Sequence, residues 1–299
     1  MKQFISVKDV NDVKSLVNKA LEYKANPLKD STLGAGKRIG CIFMNPSMRT
    51  RLSTQIAAKN LGIDPILLNA GSEGWTLEFA ENAIMNGTTV EHVKDAARVF
   101  GKYFDILAVR AFPKFSDKDE DYSELIIKQF IKYSGIPVVS LESATLHPLQ
   151  SLADIITMTE HKKVARPKVV LTWAPHIKSI PHCVANSFAQ WVNAWYELSE
   201  EFTGNANIIY DQKEAIKDAD FIYVKNWSSF KNYGDVACTD TKWMLTLNHL
   251  QECKNAKVMH CLPVRRNIEL SDEILDSKHS LVSYQAENRI WSAQAVLSE

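Results

Sequence analysis

The sequence has no surplus of charge of either sign. Lys plus Arg and Asp plus Glu number 35 each in 299 residues, and no basic run interrupts the chain. Without a positive field to neutralise phosphates, a nucleic-acid partner is not expected. Long apolar runs are missing too. The N-terminus, MKQFISVKDVNDVKS, has no signal-peptide core, and no stretch is long and apolar enough to span a bilayer, so no membrane partner is expected either. Cysteine is sparse: Cys41, Cys183, Cys238, Cys253 and Cys261 are odd in number and show no CxxC spacing. That argues against a disulfide framework and a zinc site, and suits a reducing cytoplasm. The sequons at Asn86 and Asn226 read as accidental without a secretion signal. Repeats and low-complexity tracts are also absent. What is present is ordinary globular composition, 45% hydrophobic and 23% charged, over a length that suits two domains.

Periodicity divides the chain into alternating elements. VKDVNDVKSLVNKALEYK places Val10, Val13, Val17 and Leu21 on one helical face. RIGCIFM (38–44), DPILLN, DILAVR and IPVVSL read as strands. The segment 48–61, VEHVKDAARVFGKY and YSELIIKQFIKYS read as helices. A long helix starts near His147 and runs to about Glu160. After an Arg-Pro, KVVLTW, NIIYD, DFIYV and KVMHC are further strands, VANSFAQWVNAW is a helix, and AENRIWSAQAVLSE is a terminal helix. Strand–helix alternation of this kind predicts an α/β fold: two doubly wound parallel-sheet lobes with an active-site cleft between them. The expected division is 1–146 and 147–283, with 284–299 packing back on the first lobe.

GAGKRIG (34–40) superficially suggests a dinucleotide loop, but it precedes its strand, whereas such a loop follows the strand and opens a helix. A turn entering the strand is the better reading. The segment NPSMRTRLS (45–53) is different, because it lies between a strand and a helix. Ser47 is a natural N-cap, and the backbone N–H groups after it sit at the positive end of the helix dipole, where phosphate binds. Arg49 and Arg51 add fork-shaped donors. Alone, S-x-R-x-R favours a capped surface helix with solvated arginines.

Other pieces at a distance change that balance. SMRTR resembles the carbamoyl-phosphate motif of the aspartate and ornithine carbamoyltransferase family. VRAFPKF with Arg110, HPLQSLAD with His147 and Gln150, and HCLPVRRN with Cys261 follow in the family's order. The resemblance covers nearly the whole chain. Met48, GWTLEF around Trp75, YVKNW and CLPVRRN resemble the branch that acts on N-acylated ornithines, and no D-x-x-x-S-M-G segment for free ornithine is found. SLESATLHPLQSLAD is most similar to the succinylornithine type.

The resemblance implies transfer of the carbamoyl group of carbamoyl phosphate to the δ-amine of N-succinyl-L-ornithine, in arginine biosynthesis. It implies no metal or organic cofactor. By the family pattern the first lobe binds carbamoyl phosphate and the second the acylornithine. Ser47, the Met48 N–H, Arg49 and Thr50 would hold the phosphate, with Trp75 reaching in from a neighbouring subunit of a homotrimer. Arg110, His147 and Thr50 would polarise the carbonyl, and Gln150 would orient the carbamoyl NH₂. Arg51 is left to a structural pairing. Cys261 would sit beside the amine with the Leu262 carbonyl, and Leu262–Pro263 is a candidate cis peptide. Glu142 would hold the amine. Asn186, Lys225, Arg265, His176 and Lys178 would hold the rest of the acylornithine. Each has a plainer reading from sequence alone: a satisfied structural histidine for His147, a core residue for Trp75, an interface ion pair for Arg110, a solvated carboxylate for Glu142.

Two departures bear on the acyl group. Val90 stands where the acetylornithine enzymes carry an acidic residue, which would repel a succinyl carboxylate; proline is the uncharged residue expected there. Glu269 stands where those enzymes have a lysine. A third departure is structural: after Trp195–Tyr196 a strand of the doubly wound lobe is missing. Either the lobe is shortened, or a mobile segment belongs there and is absent; loss of a central strand would open the sheet, which favours the second. The rival readings are an N-acetylornithine enzyme and a non-catalytic anion-binding paralogue.

Overall fold

The computed structural model describes residues 1–70, 72–196, 206–253 and 255–299. The first lobe carries β1 (Gln3–Phe4), β2 (Arg38–Phe43), β3 (Asp64–Asn69), the projecting pair β4 (Leu77–Glu78) and β5 (Glu91–His92), then β6 (Ile106–Arg110) and β7 (Val138–Glu142). Its helices are α1 (Val13–Ala25), α2 (Met48–Asn60), α3 (Val93–Tyr103), α4 (Lys118–Tyr122) and α5 (Leu125–Ser134). Helix α6 (Pro148–His161) leads to β8 (Val169–Trp173), α7 (Cys183–Tyr196), α8 (Gln212–Ile216), β9 (Phe221–Lys225), β10 (Lys257–Met259) and α9 (Asp272–Leu275). Helix α10 (Val282–Leu297) closes the chain.

Both main sheets are parallel, in the orders β1-β7-β6-β2-β3 and β10-β9-β8. The α/β expectation holds. Strands such as RIGCIF are apolar along nearly their whole length because helices cover both faces. From β2 the chain winds outward to β3, then returns to β6 on the other side of β2, so the winding reverses between β2 and β6. Ligand crevices form at such a reversal, beyond the carboxyl ends of the strands. Here those ends carry Asn45-Pro46-Ser47 and Arg110.

Pro148 opens α6 at a position where its fixed φ is already helical and its missing N–H costs nothing. The helix is buried from Pro148 to Met158 and packs against α1, α7 and α10. Helix α10 lies across α2, α6 and α1, against the first lobe. The lobes also meet elsewhere: the Tyr122 hydroxyl donates to His182 Nδ1 at 2.6 Å, and that of Tyr233 to Asp121 at 2.9 Å.

Three expectations need correction. The helical run 7–24 is two pieces, a 3-10 turn (Val7–Asp9) and α1, because Asp12 caps the second by accepting from the Ser15 N–H at 2.9 Å. YSELIIKQFIKYS is broken at Glu124, whose φ is +56°. Its carboxylate accepts from the Ser143 hydroxyl at 2.6 Å and the Thr145 N–H at 2.8 Å, and these bonds hold the irregular backbone. NIIYD is not a strand: residues 206–210 are irregular, and Ile208 and Tyr210 are strongly exposed. An apolar run becomes a strand only where a ladder partner accepts it. The rest of the Trp195–Tyr196 departure falls on 197–205, outside the described residues.

Candidate active site

Parallel register brings the strand ends together. Phe43 pairs with Arg110, and Arg110 with Glu142. The Asn45 side chain accepts from the Phe112 N–H at 2.7 Å, tying the loop after β2 to the loop after β6. Ser47 caps α2 by accepting from the Thr50 N–H at 3.3 Å. The N–H groups of Met48 and Arg49 keep no acceptor among the described residues. Arg51 donates to the Asn69 side chain and lies 5.3 Å over the Phe43 ring, a structural placement.

Behind this helix tip is a buried polar cluster. Glu142 accepts from Arg110 Nη1 and from the Cys183 thiol at 3.2 Å, and His147 Nε2 faces it at 3.3 Å. Arg110 lies 4.4 Å over the Phe112 ring. Burial, then the Arg289, Arg110 and Lys225 charges, hold the His147 pKa well below the usual histidine range. A neutral imidazole facing a carboxylate must donate from Nε2, because the carboxylate only accepts. Arg110 Nε and His147 Nδ1 are buried with no partner among the described residues.

Arg289, in α10, was not singled out from sequence. Its Nη1 donates to Gln150 Oε1 at 2.7 Å and its Nη2 to the Thr50 hydroxyl at 2.9 Å. Burial pushes its pKa down to about 10, which leaves it charged at neutral pH. A signal existed: Gln285, Asn288, Arg289 and Ser292 recur at three- and four-residue intervals, a polar stripe along one helix face. All four are buried.

The second lobe contributes Lys225 at the end of β9. It is 7% exposed and forms no ion pair among the described residues. After β10 come Cys261 and Leu262, with Leu262–Pro263 cis. His260 Nδ1 accepts from the Leu262 N–H at 3.0 Å, and its Nε2 donates to Glu269 at 3.3 Å. Glu269 also accepts from the Arg265 N–H at 2.8 Å. Burial opposes ionisation of Glu269, but His260, Lys225 and that N–H outweigh it and hold the carboxyl below its usual range. Burial pushes the Cys261 thiol up, with Lys225 opposing. Such a thiol stays protonated at neutral pH, unlike a covalent nucleophile. Arg265 Nε donates to His176 Nε2 at 3.1 Å, and His176 Nδ1 lies 2.8 Å from the Lys178 carbonyl and 3.0 Å from the Lys178 N–H. Asn186 donates to the Thr145 carbonyl at 3.3 Å.

Trp75 and Val90 are not gathered into this cluster. Both lie on the projecting β4–β5 flap, 58% and 64% exposed. Trp75 Nε1 donates to Glu91 at 2.7 Å, and the Val90 N–H bonds to the Thr76 carbonyl at 2.9 Å. The remaining charge is lopsided. Arg49, Arg110, Lys225 and Arg289 act on His147 and His260, with Glu142, Glu269 and the buried Asp154 as the opposing carboxyl groups. Paired with a helix N-terminus, that surplus suits an anion carrying more than one charge.

Comparison with known proteins agrees with this geometry. The carbamoyl-P binding domain of the aspartate/ornithine carbamoyltransferases matches residues 2–160, and their Asp/Orn binding domain matches 158–299. The chain belongs to the aspartate/ornithine carbamoyltransferase family. It is 47% identical over 310 aligned residues to N-succinylornithine carbamoyltransferase of Bacteroides thetaiotaomicron, covering 99% of this chain and 98% of that protein. It is 31% identical over 332 to N-acetylornithine carbamoyltransferase of Xanthomonas campestris, covering 100% and 97%. A crystal structure of N-acetyl-L-ornithine transcarbamylase with one glutamate replaced by valine, complexed with carbamyl phosphate and N-succinyl-L-norvaline, superposes with a TM-score of 0.92. It is 31% identical and covers 100% of this chain and 99% of that one.

Proposed function

We propose that this chain transfers the carbamoyl group of carbamoyl phosphate to the δ-amine of N-succinyl-L-ornithine, giving N-succinyl-L-citrulline and phosphate. The observation that carries the reading is that Arg289 joins Thr50, at the capped N-terminus of α2, to Gln150, beside the buried Glu142 cluster of Arg110 and His147. Residues 1–146 with 284–299 bind carbamoyl phosphate, and 147–283 bind the acylornithine.

Phosphate rests on Ser47, the free Met48 N–H, Arg49 and Thr50. The carbonyl oxygen takes the place of the Glu142 carboxylate between Arg110 and His147, where donors already converge. The uncharged amine attacks the carbonyl carbon, and the oxyanion forms against Arg110, His147 and the Thr50 hydroxyl. Donors placed this way contribute about 3–4 kcal/mol each to the transition state. His147, being neutral, serves as a hydrogen-bond donor. Gln150 accepts from the carbamoyl NH₂. Glu142, displaced from Arg110, accepts from the amine, whose proton leaves to it or to the departing phosphate as the C–O bond breaks. Cys261 and the Leu262 carbonyl flank the amine. Asn186, Lys225, His176, Lys178 and Arg265 hold the amide and carboxylates. The anhydride is already activated, so no metal or organic cofactor is needed.

The uncharged Val90 favours succinyl over acetyl, because a glutamate there would face the succinyl carboxylate. The valine-substituted transcarbamylase complexed with N-succinyl-L-norvaline supports the same preference. A homotrimer in the cytoplasm, serving arginine biosynthesis, completes the reading. Trp75 reaches a neighbouring site, which accounts for its exposure. The outward ridge of Met48, Leu52 and Ile56 on α2, exposed in a single chain, supplies apolar surface to cover. No helix among the described residues is long and apolar enough to cross a membrane.

Phosphate release measured with succinyl-, acetyl- and free ornithine side by side tests the reading. Release with succinylornithine foremost is expected. Release only with free ornithine rejects the acylornithine assignment, and carbamoyl phosphate binding without any turnover favours a non-catalytic paralogue.

A further inference from the structure

Behind Gln150 stands a carboxylate that the reaction just described does not use. Asp154 lies one turn further along α6 and is fully buried. Its Oδ1 accepts from Gln150 Nε2 at 2.8 Å and from Gln285 Nε2 at 2.9 Å. An amide side chain has two nearly isosteric ends, and only its partners decide which way it points. With its nitrogen drawn back to Asp154, Gln150 turns its carbonyl oxygen forward, where Arg289 Nη1 meets it at 2.7 Å. The opposite orientation would set amide N–H donors against a guanidinium and against the carbamoyl NH₂, with no acceptor between them.

We infer that Asp154 is a positioning residue for carbamoyl transfer: by holding the amide nitrogens of Gln150 and Gln285 it aims the Gln150 oxygen at the carbamoyl NH₂. This rests on the carbamoyl-transfer reading. The groups facing Asp154 are Gln150 on its own helix, Gln285 and Arg289 from α10, and Tyr223 from β9, with the Cys261 thiol beyond Tyr223. Burial raises the carboxyl to about 7, against the bonds from Gln285 and Gln150, the nearby Tyr223 hydroxyl and the charge of Arg289. Either protonation state keeps an acceptor oxygen for the two amides. The orientation therefore depends on that oxygen, not on the charge.

The test is a set of variants assayed for phosphate release from carbamoyl phosphate and N-succinyl-L-ornithine. Asp154→Asn keeps the acceptor oxygen and should stay within about threefold of the parent in kcat, whereas Asp154→Leu removes it and should lower kcat at least about tenfold. In a Gln150→Ala background, Asp154→Leu should cost less than about twofold more, since a residue acting through Gln150 has nothing left to aim. The same loss in both backgrounds would overturn the inference, because a purely structural role ignores Gln150. Should Asp154→Leu not fold, Gln150→Glu serves instead: its carboxylate faces Asp154, and adding Asp154→Asn should restore activity at least about fivefold. Absence of that rescue overturns the inference as well. A parent inactive with every ornithine tells against the proposed function itself; an active parent with an additive cycle removes only the role of Asp154.

Discussion

The guanidinium of Arg289, in the last helix, donates to the hydroxyl of Thr50, in the first turn of α2, at 2.9 Å. Its other arm reaches Gln150 on α6. One buried cation thus joins three helices, α10, α6 and α2, at the proposed anion site.

Arg289→Lys keeps the charge and loses the fork. Leaving Thr50 or Gln150 unmatched should lower stability by about 1–3 kcal/mol. Transition-state binding should fall at least about tenfold in kcat/KM. Denaturant unfolding and phosphate release, run on the same preparation, check both; wild-type values in each would refute the placement.

Asp154 gives stability a pH dependence. Its carboxyl is raised from 3.8 to about 7 on folding, so the native state binds the proton more tightly than the unfolded chain. That contribution is complete below about pH 4 and is lost as pH rises through about 7. Asp154→Asn does not titrate, so its stability relative to wild type should increase by about 1–3 kcal/mol between pH 5 and pH 8. Parallel melts at the two pH values decide it.

Cys261→Ser should keep turnover within about tenfold, because a partly buried, protonated thiol is not a nucleophile waiting to be acylated. Complete loss of activity with the fold intact would point to covalent catalysis instead.

Val90→Glu places a carboxylate on an exposed flap and should leave the fold unchanged. Like charges should lower kcat/KM for succinylornithine relative to acetylornithine by about tenfold or more. An unchanged ratio between the two substrates would remove Val90 from the acyl site.

Trp75→Ala and Arg110→Ala should each be inactive alone. Mixed one to one under conditions that exchange subunits, they should regain about a quarter of the wild-type activity, since a shared site needs one intact half from each chain. No recovery in verified mixed trimers would confine the site to a single chain.

Sequence alone determined the elements whose signals are local. The apolar runs gave β2 and β6, Ser47 gave the start of α2, and Pro148 gave the start of α6, because a cap, a fixed φ or a doubly covered strand acts within a few residues. Ser47 was legible as a cap for the same reason, whereas Arg110, His147 and Gln150 were named by resemblance to the family's ordered motifs, each at or within one turn of an element end. Tertiary structure decided what depends on partners distant in sequence. It broke YSELIIKQFIKYS at Glu124 for the sake of Ser143 and Thr145, and left Ile208 and Tyr210 without a ladder. It also drew Arg289 and Asp154 onto Gln150 in one buried polar cluster, where burial strengthens each polar contact and makes an unpaired one costly. Burial of that kind is a property of packed helices, and no local pattern of residues carries it.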